Sequence, residues 1–171
     1  DELLLLSQTG ERDAPGSSLD LADVVAAAED RWASALADAD QLLVVDAGEP
    51  VPVYAARVDV DRAMDAVIEN ASRYTPAGTS ITVRHRGTTI EVLDTGPGLS
   101  DEDLGHVFDR FTRGGVGRRS GPGTGLGLPI ARELIGRWGG EVTLENRAEG
   151  GAVARLTFPV HAEVDHGTVR R

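Results

Sequence analysis

At 171 residues the chain is long enough for one domain with a real core, and a formal net charge of −11 with a pI near 4.7 repels phosphate backbones, which argues against nucleic acid as a partner. It has no cysteine, so it can build neither a disulfide framework nor a thiolate metal site, and its 17 basic residues are all Arg, which excludes the Walker A loop and Schiff-base chemistry. No apolar run approaches the roughly 18 residues of a membrane span, and the leucines at 3 to 6, flanked by Asp1, Glu2 and Ser7, do not make a signal peptide.

Residues 1 to 7 read as the last turn of a helix, and QTGERDAPGSS as a turn-rich connector, so 1–18 is taken as helix end plus linker. A folded domain over 19–160 follows, then a flexible tail over 161–171. Ser18 or Asp20 is placed to cap a helix in which Leu21, Val24, Val25, Ala28 and Trp32 recur at helical spacing. LLVVDAG and VPVYAA, apolar and bracketed by Gly and Pro, predict a pair of strands. From Asp59 to Tyr74 the stripe Val60, Ala63, Met64, Val67 and Ala71 predicts a helix stopped by Pro76. SITVRHRG and TTIEVLD predict a hairpin around Gly87, GLPIARELIGRWGG a helix stopped by Gly139 and Gly140, and EVTLEN and GAVARLTFPV two more strands. Helices mixed with frequent hairpins imply an α/β (α+β) two-layer sandwich: a mixed, mostly antiparallel sheet with helices on one face.

Three stretches carry chemistry. In TTIEVLD, strand alternation puts Ile90, Val92 and Asp94 on one face, aiming a carboxylate at the apolar layer where it needs a donor. Gly96 and Gly98 beside it permit positive φ and close approach of a flat group, although DTGPG also serves as an ordinary strand-ending turn. In DAVIENASRYTP, Ala66, Glu69, Asn70, Arg73 and Tyr74 share a second helix face. Asn70 offers an amide oxygen suited to hydrated Mg²⁺, Arg73 a phosphate contact and Tyr74 a surface for a base or ribose; a solvated face is the alternative. In RGGVGRRSGPGTGLGLPIA, Gly123, Gly125 and Gly127 stand two apart at a helix start, where free amides and the helix dipole attract phosphate. The glycine-rich segment before them, carrying Arg113, Arg118 and Arg119, reads as a surface loop or as a lid closing on an anion.

Taken in order, VIENASRYTP, DTGPGL, VFDRFTRG and GTGLGLPIA resemble the N box, first glycine box, F box and second glycine box of bacterial two-component sensor histidine kinases. Their ATP-binding catalytic domain has the Bergerat fold, shared with DNA gyrase, MutL and heat-shock chaperones. The resemblance covers roughly 19–160. It implies that Asp94 accepts a hydrogen bond from the adenine amino group, with Gly96 and Gly98 admitting the base. It implies that Asn70 holds Mg²⁺, and that Arg73 and Tyr74 contact phosphate and the base or ribose. It implies further that Phe108 and Phe111 anchor the lid, that Arg113 reaches the phosphates, and that Gly123, Thr124, Gly125, Leu126 and Gly127 cradle them. Asn70, Arg73 and Arg113 are then the residues closest to the transfer chemistry.

The sequence departs from that pattern twice. Ala66 stands four residues before Asn70, where the family often carries Asn and related ATPases a general-base Glu, so hydrolysis by this domain should be poor. Transfer to an imidazole depends mainly on Mg²⁺ and positioning and need not vanish. None of His85, His106, His161 and His166 lies in a phosphoacceptor segment, which the family places on a preceding helical hairpin. The resemblance therefore implies a monomeric catalytic fragment that binds ATP but does not label itself. It further implies a homodimeric, membrane-anchored whole protein with this domain in the cytoplasm, and a response regulator that receives the phosphoryl group on Asp. An anti-sigma-type serine kinase and a nucleotide-binding pseudokinase of the same fold are the competing readings.

Overall fold

The structure, a computed structural model, describes residues 14–109 and 127–160. Two short strands and a main sheet of five, with helices on one face of it, form the two-layer α/β architecture expected.

Strand β1 (Ser17–Asp20) leads straight into α1 (Leu21–Asp38). Asp20 is the N-cap: its Oδ1 accepts from the Ala22 amide at 2.9 Å and from the Val51 amide at 3.0 Å, so one carboxylate starts the helix and ties down a distant loop. Leu21, Val24, Val25, Ala28 and Leu36 are the buried face of α1. Trp32, expected in that stripe, is only partly buried and donates from Nε1 to Asp65 at 2.8 Å.

Strands β2 (Leu42–Asp46) and β3 (Pro52–Ala55) follow, and here the expectation of a strand pair is corrected. β3 runs antiparallel to β1 in a separate two-stranded sheet, with Ser17 opposite Ala55 and Asp20 opposite Pro52. Pro50 and Pro52 lack the amides that a β2–β3 ladder needs, while Pro52 is tolerated as the first residue of a strand. Among the described residues, strand pairing thus begins at Ser17, two residues before the expected start of the domain.

Helix α2 (Arg57–Tyr74) buries Val60, Ala63, Met64, Val67, Ile68 and Ala71, and ends at Thr75, extended and followed by Pro76. It crosses over so that β2 pairs in parallel with β4 (Ser80–Arg86). β5 (Thr89–Asp94) returns antiparallel to β4 around Gly87, as expected. After α3 (Asp101–His106), capped by Ser100, and α4 (Gly127–Gly136), come β6 (Glu141–Asn146) and β7 (Ala152–Thr157). The main sheet has the order β2-β4-β5-β7-β6, antiparallel except for β2 with β4. Leu21, Met64, Ile68, Ile81, Ile90, Ile135 and Leu156, wholly excluded from solvent, fill the space between sheet and helices. None of the described helices is long and apolar enough to cross a membrane.

The opposite face of the sheet carries a charge ladder. Glu91 on β5 is 9% exposed and receives Arg84 at 2.8 Å and Arg155 at 3.0 Å, and Arg155 also pairs with Glu145. Burial pushes the Glu91 carboxyl up, but the hydrogen bonds and charges of Arg84 and Arg155 outweigh it and hold the carboxyl below its ordinary value of 4.5. A carboxylate with a depressed folded-state pKa adds stability above its unfolded value and loses it as pH falls through the folded one. Glu91→Gln should therefore be less stable than the wild type at neutral pH, with the gap closing as pH drops below 4.5. Denaturant titrations across that range measure it; a gap that stays constant would show that the charge of Glu91 contributes nothing.

Candidate functional site

The C-terminal end of α2 is held from outside the helix. Gln41 donates from Nε2 to the carbonyls of Ser72 at 2.9 Å and Thr75 at 2.6 Å, and the Ser72 hydroxyl returns a bond to Gln41 Oε1 at 2.6 Å. Carbonyls that the ending helix leaves unpaired are thereby satisfied by a buried amide, fixing the turn that carries Asn70 and Tyr74.

Opposite that turn lies the end of β5. Asp94 is 9% exposed and points to the helix side of the sheet, as strand alternation requires. Its Oδ1 accepts from the Gly96 amide at 2.9 Å and from the Ala152 amide at 3.2 Å. Oδ2 accepts no hydrogen bond among the described residues, and Asp94 lines a cleft. Two amides thus make the carboxylate affordable at the edge of the core and leave one oxygen free to accept from a ligand.

The cleft has an empty volume of about 330 Å³, part of it open to solvent. Val67, Asn70, Ala71 and Tyr74 of α2 form one wall, and Val92 and Asp94 of β5 the floor; Leu144 of β6, Ala152 and Ala154 of β7, and Leu99 of the loop after β5 close it. An apolar slot with one fixed carboxylate oxygen and one neutral amide suits a flat aromatic ring bearing an exocyclic amine. The Thr75 hydroxyl is buried with no hydrogen-bond partner among the described residues, near Gly96.

The structure thus brings Asn70, Tyr74 and Asp94 to a single cleft. Gly98 has φ +74°, and a Cβ there would lie 2.7 Å from Asn146 Oδ1, so this turn requires glycine. Gly96 acts through its amide on Asp94. Arg73 does not line the cleft; it pairs with Glu69 at 2.5 Å one turn back. Gly127 opens α4 directly against Ala66: a Cβ on Gly127 would stand 3.6 Å from the Ala66 carbonyl and 3.8 Å from its methyl. The small side chain at position 66 therefore lets the start of α4 approach α2 one turn from Asn70. Phe108 packs on the core under the Arg132 guanidinium, 5.0 Å from its ring centroid. Phe111, Arg113, Gly123, Thr124, Gly125 and Leu126 lie outside the described residues.

The strands β6 and β7 were expected, but not the contacts of the turn between them with Asp94 and Leu99. Asn146 donates from Nδ2 to the Leu99 carbonyl at 2.7 Å and accepts at Oδ1 from the Leu99 amide at 2.8 Å, while Arg147 donates to the Asp94 carbonyl at 2.7 Å. A polar pair at a strand end followed by Gly-Gly marks a turn, and nothing local in it points back to residues some fifty positions earlier.

Comparison with known proteins gives a consistent picture. A family described as histidine kinase-, DNA gyrase B-, and HSP90-like ATPase matches residues 55–162. The chain is 40% identical over 109 residues to the signal transduction histidine-protein kinase AfsQ2 of Streptomyces coelicolor, a match covering 61% of this chain and 20% of that protein. It is 33% identical over 179 aligned positions to the sensor histidine kinase TrcS of Mycobacterium tuberculosis, covering 94% of this chain and 33% of that protein. The chain thus spans a fifth to a third of these relatives. Among solved structures, the mycobacterial sensor histidine kinase MprB superposes with a TM-score of 0.68 at 24% identity, over 85% of this chain and 97% of that one, a likeness of fold.

Proposed function

Because this chain belongs to the histidine kinase-, DNA gyrase B-, and HSP90-like ATPase family, we propose that its cleft binds Mg-ATP and that it is the catalytic domain of a sensor histidine kinase. The γ-phosphoryl group would pass to a histidine on a separate helical hairpin, with ADP leaving. One observation carries the reading: Asp94 lines an apolar cleft with one oxygen pinned by two amides and the other without a donor among the described residues. A base presenting an amine to that oxygen gains a charge-assisted bond, whereas guanine presents a carbonyl oxygen and is repelled.

The residues present fit Mg²⁺ carried by a triphosphate. Among the described residues no group of three His, Cys, Asp or Glu could hold a metal, and Asn70 offers one neutral amide oxygen beside the cleft. A hard cation would then draw the rest of its oxygen shell from phosphates and water. When bound, it would neutralise phosphate charge and orient the γ-phosphoryl group. Tyr74 would lie along the base or ribose, and the amides and dipole at the start of α4, beginning with Gly127, would meet the phosphates. Arg73 would exchange Glu69 for a phosphate oxygen, and Glu69, which does not line the cleft, is not a base. Arg113, Gly123, Thr124, Gly125 and Leu126 join the proposal on sequence alone. Ala66 cannot accept a proton from water, so hydrolysis should be slow, while an imidazole nucleophile needs no such base. In the whole protein we place a dimerising hairpin before this domain, a membrane anchor with the domain on the cytoplasmic side, and a response regulator downstream.

Calorimetric titration with a non-hydrolysable ATP analogue tests the site. The wild type should bind more tightly with Mg²⁺ than without, and Asn70→Ala should remove most of that difference, roughly tenfold in affinity for one lost ligand and its reorganised shell. Undiminished Mg²⁺ dependence in Asn70→Ala would remove Asn70 from the metal. A histidine-bearing hairpin supplied in trans then separates the readings: acid-labile phosphate supports a histidine kinase, acid-stable phosphate a serine kinase. Tight binding without transfer supports a pseudokinase, the reading that Ala66 favours.

A further inference from the structure

On one of its two edges β5 loses its neighbour where the cleft begins. Asp94 still pairs with Ile81 of β4, but the ladder with β7 ends at Leu93 opposite Val153, so on that edge the Asp94 carbonyl and the loop after it need other partners. The β6–β7 turn supplies them from both sides. Asn146 clasps Leu99 with an amide that both donates and accepts, at 2.7 and 2.8 Å, reproducing the exchange of a paired strand residue. Arg147 donates to the Asp94 carbonyl at 2.7 Å, and the Ala152 amide reaches Asp94 Oδ1 at 3.2 Å. The turn itself is closed by Arg147 N–H to the Gly151 carbonyl at 3.0 Å and Gly150 N–H to the Arg147 carbonyl at 3.1 Å. The loop bearing Leu99 and the residue bearing the carboxylate are thus clamped by one turn remote in sequence.

We propose that Asn146 and Arg147 are positioning residues that set the direction of the free Asp94 oxygen, so that the β6–β7 turn carries part of the discrimination between adenine and guanine nucleotides. This rests on the reading of the cleft as an adenine site. Neither side chain lines the cleft; each acts through backbone that does. A bond between a fixed carboxylate oxygen and an exocyclic amine is directional, and rotation of Asp94 weakens it. The same rotation relieves the repulsion of guanine's carbonyl oxygen, so loss of the clamp should narrow selectivity rather than lower all binding equally.

The test is calorimetric titration of the 171-residue chain with non-hydrolysable ATP and GTP analogues, for wild type, Asn146→Ala, Arg147→Ala, Arg147→Lys and Asp94→Asn, with thermal unfolding of each. Asn146→Ala and Arg147→Ala should each weaken the ATP analogue by about tenfold, the size of one or two lost hydrogen bonds, and the GTP analogue much less. Arg147→Lys, which keeps a donor for the Asp94 carbonyl, should recover most of the wild-type ratio. If Asn146→Ala does not fold, the two Arg147 variants decide. A selectivity ratio unchanged in the alanine variants, whether or not the melting temperature falls, overturns the positioning role. If Asp94→Asn also leaves selectivity intact, or the wild type binds neither analogue, the adenine-site reading itself fails. If Asp94→Asn removes selectivity and the turn variants do not, only the present inference fails.

Discussion

Asp94→Asn should lower affinity for an ATP analogue by about a hundredfold or more while the protein stays folded. The asymmetry of the carboxylate is the reason. Oδ1 is held by the amides of Gly96 and Ala152, and the oxygen of an asparagine serves them equally well. That fixes the orientation of the new side chain, because turning its NH₂ toward two N–H groups would set donors against donors. The NH₂ must then occupy the place of Oδ2 and face the cleft, where it opposes the adenine amine. The variant loses a charge-assisted bond and gains a repulsion, together about 3 kcal/mol. The same NH₂ can donate to the carbonyl oxygen of guanine, so preference for the ATP analogue over the GTP analogue should narrow or invert. Competition titrations with both analogues, beside thermal unfolding, measure this; ATP-analogue affinity within a few fold of wild type in a folded Asp94→Asn would remove Asp94 from base recognition.

What could be read from sequence divides along the range of the interactions involved. The inward aim of Asp94 follows from alternation within one strand, and the buried stripe of α2 from helical spacing, both set by near neighbours. The cap at Asp20 was legible, but its second bond to the Val51 amide was not, because that loop is distant in sequence. The same gap explains the misread strands. VPVYAA has strand composition, yet which strand it joins depends on two prolines and on Ser17–Asp20, a stretch too polar and short to signal a strand by itself. At the cleft, the apolar walls from β6 and β7 and the Asn146–Arg147 clamp come from the far end of the chain, whereas Asn70, Tyr74 and Asp94 announce themselves locally. Position 66 reads differently once its surroundings are known. A missing base in the sequence, it is in the fold the small residue against which α4 begins.

The turn that clamps the site also contains its least replaceable glycine. Gly151 has φ +81°, and a Cβ there would lie 2.0 Å from the Asp94 carbonyl oxygen and 2.8 Å from its carbon, closer than atoms can approach without backbone movement. Gly150 has φ +94° and nothing within 4 Å of its Cβ position. The two glycines share the conformational demand and differ in the contact. Gly150→Ala should cost about 1 to 2 kcal/mol, the strain of an L-residue at positive φ. Gly151→Ala adds to that strain an overlap that only separation of the β6–β7 turn from β5 relieves, with loss of the bonds from the Ala152 amide and Arg147; about 3 kcal/mol or more is expected. Because the displaced atom belongs to Asp94, Gly151→Ala should also depress ATP-analogue binding in whatever fraction remains folded, and Gly150→Ala should bind nearly as the wild type does. Denaturant unfolding and titration of both variants give the comparison. Equal destabilisation would mean that backbone conformation alone dictates glycine at both positions. A larger loss at Gly151 accompanied by weakened binding would tie the fold of this turn to the aim of the carboxylate.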